Sequence, residues 1–401
     1  NKGERMERFS SIAPGVRVHA GEDALRLLPR EAERLGAQRA FVVCGNSVVT
    51  RTPLLARIRD LLGERYAGAY ASLGKDAPLE DVEEAVRQAS ACQADLLIAI
   101  GAGSVLKGAR VIAMALGEGG NLAALATQYP ENGAPVSPRL RQPKPPIINV
   151  LTAATSAQNR AGAALRRSNG GPRLEFFDPK TRPAAIFWDE QALASAPPSL
   201  ALSTGLGVFW RALMNIGAVQ QANPLVQASR LHAYTLSRSA LPRMKDPQDA
   251  QARLDMCAAA LLQNRDEDDG GRPFDAHWVA RSVYALGAAL FNAVPHLDQG
   301  STHVVLTVPA IRHFAELCPD AVRQMGQALG VSAADAANPD CVIEALQGLM
   351  RELGVPDRLE GVSGASREQA LASSLFNFNA DRSRQLSHHQ ERLSAILRES
   401  T

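Results

Sequence analysis

The apolar run Asp95-Leu-Leu-Ile-Ala-Ile100 ends in Gly101-Ala-Gly-Ser104 and passes directly into an amphipathic stretch over 104–116. Strand, glycine turn and helix thus follow one another without a linker. No other segment restricts the fold as much, because a buried strand feeding a helix needs neighbouring strands for that helix to cover. Gly101 and Gly103 let backbone approach a ligand closely, and Ser104 stands where free N–H groups and the helix dipole favour an anion. The spacing matches neither the dinucleotide pattern Gly-x-Gly-x-x-Gly nor the Walker loop. A phosphate seat and an unliganded tight turn both stand as readings of this segment alone.

The alternation continues through the first half. Expected strands at 39–44, 67–73, 95–100, 146–151 and 184–188 are separated by expected helices at 53–62, 79–92 and 104–116, as in a parallel sheet covered by helices. The proline-rich stretch 129–146 reads as a long surface excursion. After Pro197-Pro198 the pattern is helical, with helices expected at 199–219, 224–241, 248–262, 277–293, 301–317, 320–329, 341–353, 367–375 and 387–398. Ser387 and Gln390 form an expected capping box for the last helix, and 264–273 reads as an acidic, glycine-rich loop. The predicted architecture is an α/β domain over 1–192 and an all-α domain over 193–401.

With 401 residues, 46% hydrophobic and 21% charged, the chain has room for two cores. A formal net charge of +2 without a long basic run argues against nucleic acid or an anionic membrane as partner. Cys44, Cys92, Cys257, Cys318 and Cys341 are odd in number and never form a Cys-x-x-Cys pair, so a reducing cytoplasm is expected. No run approaches the roughly 18–20 apolar residues of a membrane span, and no signal peptide is expected in Asn1-Lys-Gly-Glu-Arg-Met6, which has no apolar segment to serve as one. Asn1 to Arg5 are expected to precede a natural start at Met6.

Four segments in fixed order carry a family resemblance: Gly101-Ala-Gly-Ser104 against Gly-Gly-Gly-Ser; Lys144-Pro-Pro-Ile-Ile-Asn-Val-Leu-Thr152 against Pro-Pro-Ile-x-x-x-Pro-Thr-Thr; Arg182-Pro-Ala-Ala-Ile-Phe-Trp-Asp189 against Pro-x-x-x-x-x-Asp; and Ser203-Thr-Gly-Leu206 as a Thr-Gly entry to a long helix. Together they resemble the iron-containing alcohol dehydrogenase and dehydroquinate synthase-like superfamily. Leu151-Thr-Ala-Ala-Thr-Ser-Ala-Gln158 aligns without a gap to Pro-Thr-Thr-Tyr-Ala-Gly-Ser-Glu of maleylacetate reductases, and Thr302-His-Val-Val-Leu is similar to their Thr-His-Ala-Val-Val-Leu. The resemblance implies a Rossmann-like first domain that binds NAD or NADP. It also implies a helical second domain with substrate and catalytic groups, a small-molecule substrate and a homodimer. The cofactor contacts it implies are Gly45, Asn46, Gly101, Ala102, Gly103, Ser104, Lys107, Thr152, Ala153 and Arg173. At Cys44-Gly-Asn-Ser47 the acid that many members use on the adenosine ribose is missing, which makes NADP(H) tolerable. Lys107 replaces a family aspartate and Arg110 a family lysine. Lys107 reads either as a phosphate contact or as a solvated lysine.

The family's metal motif Gly-x-Asp-Ala-x-x-His appears here as Gly205-Leu-Gly207-Val-Phe-Trp-Arg211. Glycine offers no ligand atom and a protonated arginine has no lone pair to give, so no metal is expected. His296 and His303 lie in the region of the two remaining family ligands. His296, beside Pro295, reads as a loop residue. His303 reads as the proton donor, or else as a packed or surface histidine. Arg211 is expected to replace the metal's charge in an interdomain cleft, polarising a carbonyl or pairing with a carboxylate, with Gly207 leaving it room. Its alternative is a pair with a neighbouring acid. Gln158 and Asn159 are expected to hydrogen-bond a polar substrate or to cap their turn. The leading functional expectation is a metal-independent NAD(P)H-dependent oxidoreductase acting on a small carbonyl or unsaturated oxo acid. The alternatives are a non-redox lyase or isomerase, or a catalytically silent protein, on the same fold.

Overall fold

Residues Ala40–Cys44 and Leu96–Gly101 carry no charge and are buried at every position, so neither face of the sheet they form can meet water. The computed structural model describes residues 8–130, 135–167, 173–268 and 273–401; the expected start at Met6 lies outside them. Among the described residues there are eight strands: β1 (Arg17–Gly21), β2 (Ala40–Cys44), β3 (Tyr66–Tyr70), β4 (Leu96–Gly101), β5 (Ile147–Leu151), β6 (Gly162–Leu165), β7 (Leu174–Phe177) and β8 (Ala185–Asp189). Six of them make one sheet in the order β1-β8-β5-β4-β2-β3, parallel at every pairing. β6 and β7 pair antiparallel as a separate hairpin. The α/β expectation is met.

Helices in this half are α1 (Leu28–Arg34), α2 (Asn46–Arg51), α3 (Leu54–Leu62), α4 (Leu79–Ala91), α5 (Gly103–Glu118), α6 (Leu122–Leu125) and α7 (Glu190–Ala194). The remainder is helical, as expected: α8 (Pro198–Ile216), α9 (Pro224–Ala240), α10 (Ala250–Leu262), α11 (Arg265–Asp268), α12 (Trp278–Ala293), α13 (Gln299–Phe314), α14 (Pro319–Ala328), α15 (Pro339–Leu353), α16 (Gly364–Ser374) and α17 (Gln390–Ser400). The chain divides into two compact units. An α/β unit holds Gly15–Pro198 and Pro247–Cys257, and a helical unit holds Ser199–Asp246 and Ala258–Thr401 with the residues before Gly15. Two bonds fix the 247–257 segment to the sheet's unit: Arg253 Nη1 donates to the Leu193 carbonyl and Gln158 Nε2 to that of Cys257. Among the described residues no helix is long and apolar enough to cross a membrane.

Two local expectations are corrected. The last helix begins at Gln390 without a side-chain cap; Ser387 Oγ donates instead to the Arg384 carbonyl and Gln390 Nε2 to that of Ser387, so the capping box does not form. The acidic segment expected as loop contains the helical turn α11. Ser203-Thr-Gly-Leu206 lies inside α8, which begins one residue before the start expected at 199.

In the helical unit, α13 meets α8 at a glycine. A Cβ on Gly300 would stand 2.8 Å from the Gly207 nitrogen and 3.0 Å from Leu206 Cβ, and it would run into the Ser203 carbonyl. Backbone cannot yield there as a side chain would. Gly300→Ala is therefore expected to destabilise by about 1–3 kcal/mol, as overpacked cores do, seen as a lowered urea midpoint. Gly348→Ala in α15, where the nearest atom is the Arg351 Nη2 at 3.9 Å, should leave the midpoint unchanged or raise it.

Candidate functional site

From β2 the chain runs to β3 on one side and then to β4 on the other, so the direction of winding reverses between β2 and β4. In open parallel sheets the crevice outside the carboxyl ends at such a reversal receives ligands. Cys44 is in register with Ile100 there, and the next residues are Gly45 and Gly101. Gly101 has φ +156 and a Cβ on it would lie 2.9 Å from Val105 Cγ2, so glycine is required. Gly45 precedes α2 as its N-cap, and a Cβ on it would lie 3.2 Å from the Leu73 carbonyl. Asn46 is exposed.

Ala102 is the N-cap of α5 and supplies no side-chain bond, so the first N–H groups of a sixteen-residue helix are left for a ligand or water. Gly103 lies nearest Thr155 Oγ1, at 3.8 Å from its would-be Cβ. Ser104 Oγ accepts the Asp76 N–H at 2.9 Å, which holds the loop after β3 against the start of α5. Thr152 N–H donates to the Gly101 carbonyl at 3.1 Å, so the ends of β4 and β5 are tied side by side; Ala153 next to it is buried. Lys107 falls in the second turn of α5. It is half-buried, and its ammonium is pushed down to about 8 by burial, then by Arg173 and Arg110. Arg173 lies 3.5 Å from Asp76 Oδ1. The ten positions expected to hold the cofactor thus belong to one unit, and most cluster at the carboxyl ends of β2, β4 and β5.

Arg110 escaped the list of candidates, although it is buried to 1% exposure. Its Nη1 donates to the Gly162 carbonyl at 2.5 Å and its Nη2 to that of Ala157, so it holds the turn after β5 against α5. A charged residue on the buried face of a helix was the available sequence signal.

Gln158 departs from its expected role. It is fully buried; its Oε1 accepts the Trp188 indole N–H at 2.8 Å and its Nε2 donates to the Cys257 carbonyl at 2.9 Å. Its own carbonyl accepts from Asn149 Nδ2 at 2.8 Å. The amide anchors β5, β8 and α10 and is not presented to a substrate.

Arg211 departs as well. Its Nη1 donates to Asn264 Oδ1 at 2.7 Å, and its Nη2 donates to the Gln263 carbonyl at 2.8 Å and lies 2.9 Å from Glu267 Oε1. The guanidinium stands over the Phe274 ring at 5.3 Å and the residue is 3% exposed. The pair with a neighbouring acid is what forms, and the acid comes from the segment that follows α10. Gly207 gives no room to Arg211; it faces Gly300, whose Cα lies 3.8 Å from its would-be Cβ.

His303, 1% exposed, has its ring 4.2 Å from Trp210, with Tyr284 and Phe291 at 5.9 and 6.1 Å. Among the described residues neither ring nitrogen has a hydrogen-bond partner, and a Cβ on Gly287 would fall on the imidazole. Burial pushes its pKa down to about 3, so the ring is neutral at pH 7. That corrects the expectation of a proton donor poised near neutrality. His296 sits in a loop, its Nε2 at 2.9 Å from the Glu360 carbonyl, as expected.

These three positions do not fit a metal: Gly207 has no donor atom, Arg211 is a cation, and the His303 ring is buried among Trp210, Tyr284 and Phe291. Among the described residues no group of three or more His, Cys, Asp or Glu side chains could hold a metal ion. A cavity of about 490 Å³ opens elsewhere in the helical unit, lined by Gly217, His277, Arg281, Cys318 and Asp320 among others. None of the expected site residues lines it.

Comparison with known proteins adds four findings. The family model for iron-containing alcohol dehydrogenase matches residues 15–190. A maleylacetate reductase of Pseudomonas knackmussii is 26% identical over 321 residues, covering 78% of each chain. Among solved structures, a 1,3-propanediol oxidoreductase superposes with a TM-score of 0.82 at 20% identity over 98% of this chain and 100% of its own. The maleylacetate reductase of Agrobacterium tumefaciens reaches 0.73 at 18% identity over 98% of each. At these identities the two structures establish the fold.

The histidine assignment has a pH consequence. A ring with a folded pKa near 3 and an unfolded value near 6.5 leaves the native state unprotonated while the unfolded chain takes up a proton, so stability is present above about pH 6.5 and lost as pH falls towards 3. His277, held at about 4 by burial, adds in the same direction. His303→Leu should reduce the slope of the unfolding free energy between pH 6 and 4 by up to about 1.4 kcal/mol per pH unit, measured by urea titration at each pH. An unchanged slope would show that His303 takes up its proton while folded.

Proposed function

Over residues 15–190 this chain belongs to the iron-containing alcohol dehydrogenase family, and from that premise we propose that it is an NAD(P)H-dependent oxidoreductase that reduces a small carbonyl or unsaturated oxo acid without a bound metal. The observation that carries this reading is the meeting of Gly45 and Gly101 at the reversal between β2 and β4, beside the uncapped start of α5. Gly101, Ala102, Gly103 and Ser104 would receive the pyrophosphate on backbone N–H groups. Gly45 and Asn46 would lie along the adenosine ribose with no carboxylate to repel a 2′-phosphate, and Thr152, Ala153, Lys107 and Arg173 would complete the seat. NAD(P)H supplies hydride when bound.

The substrate class rests on the curated relatives named maleylacetate reductase and on the ungapped match of 151–158. Metal independence rests on the chemistry at 207 and 211. Arg211 cannot ligate a cation, and its charge is engaged by Glu267, Asn264 and the Gln263 carbonyl. We assign it to ordering the segment after α10, a positioning role. The reading includes a cytoplasmic homodimer, in keeping with the unbridged thiols of all five cysteines.

A second reading has its own support. Arg211 and His303, the groups expected to supply charge and a proton, are both enclosed by their own unit, which favours a non-redox or catalytically silent protein on this fold.

Two measurements decide between them. Titration with NADH and NADPH, followed by heat or fluorescence, should give micromolar binding of at least one; no binding at millimolar cofactor would leave the second reading. Treatment with a strong chelator and gel filtration should leave turnover within twofold, and one equivalent of iron or zinc in the purified protein would refute metal independence.

A further inference from the structure

In the second turn of α5 a half-buried lysine lies among cationic neighbours. Arg173, Arg110 and Arg160 all bear on Lys107, and Asp76 is the carboxylate that opposes them. Asp76 is fixed in place: its N–H donates to Ser104 Oγ, its carbonyl accepts the Arg166 N–H at 3.2 Å, and Oδ1 faces Arg173 at 3.5 Å. Arg110 has committed both terminal nitrogens to backbone carbonyls. The acids on the neighbouring hairpin are engaged elsewhere, Glu175 with the Tyr129 hydroxyl and Asp178 with Lys144 and Lys180. Residues 168–172, Ser-Asn-Gly-Gly-Pro, bring no charge of their own. Among the described residues no acceptor engages the Lys107 ammonium.

Half-burying an ammonium among guanidinium groups is unfavourable by desolvation and by like charge. Such a residue beside a ligand crevice has a rationale when an anion completes it. Lys107 lies four residues past Gly103, about 6 Å along the helix, one turn inward of the first N–H groups. We propose that Lys107 and Arg173 form a seat for a second oxyanion of the bound ligand, distinct from the pyrophosphate held by the glycine loop. Its occupant is a phosphate monoester or carboxylate, supplied by the 2′-phosphate of NADPH or by an acidic substrate. The inference rests on the dinucleotide reading above for the ligand, though not for the seat itself.

Inorganic phosphate is the first probe. It should protect Lys107 from an amine-acylating reagent at pH 8, read by peptide mass spectrometry, and Arg173→Gln should weaken that protection at least tenfold. Calorimetry then separates the two sources. NADPH binding at least tenfold tighter than NADH, with the difference lost in Lys107→Gln and kept in Lys107→Arg, assigns the seat to the cofactor. Equal cofactor affinities with a tenfold rise in KM for a 3-oxo dicarboxylate in Lys107→Gln, at constant kcat and without a change for its monoester, assign it to the substrate. Protection by phosphate without any nucleotide binding would sustain the seat and remove the dinucleotide reading. Absence of protection overturns the seat whether or not a nucleotide binds.

Discussion

Two uncharged strands lying side by side set the terms for the α/β unit. β2 and β4 bury every side chain, so helices must cover both faces and the chain must cross over between parallel neighbours. Parallel strands all present their carboxyl ends at one edge, and the winding reverses where β2 meets β4. The crevice at Gly45 and Gly101 is thus a by-product of how an apolar sheet is covered. Its polar furniture comes from loops that the sheet brings together: Asp76 after β3, Ser104 after β4 and Thr152 after β5.

The helical unit shows a different economy of charge. Its buried cation, Arg211, is surrounded by an amide oxygen, a carbonyl and a carboxylate. An internal positive charge thus collects oxygen partners from the chain that follows α10. Phe274 links this arrangement to the histidine: it stacks on Tyr284 at 3.8 Å, and Tyr284 borders His303. Aromatic contacts occupy the space around a ring that has no polar neighbour.

What could be read from the sequence follows the range of the forces involved. The central strands and the glycine turn were legible because hydrophobic period and turn chemistry are local. β1 was weaker, an edge strand with no buried position, and the hairpin of β6 and β7 has only four residues per strand, too few to establish alternation. Arg211 was correctly singled out as anomalous, but its partners lie 52 and 53 residues away; the acidic character of 264–273 was the clue that went unused. Gln158 was misread because an amide in a turn gives no sign that an indole from β8 and a carbonyl from α10 will saturate it. The room for the His303 ring depends on Gly287, a glycine within an otherwise ordinary helix.

That last contact constrains substitution in one direction. The imidazole fills the volume where a β-carbon of residue 287 would be. Residue 303 can shrink while 287 stays glycine, whereas any side chain at 287 requires the ring at 303 to leave. The pair therefore tolerates change in a fixed order, 303 before 287, and glycine 287 holds open a space that only a side chain from α13 fills.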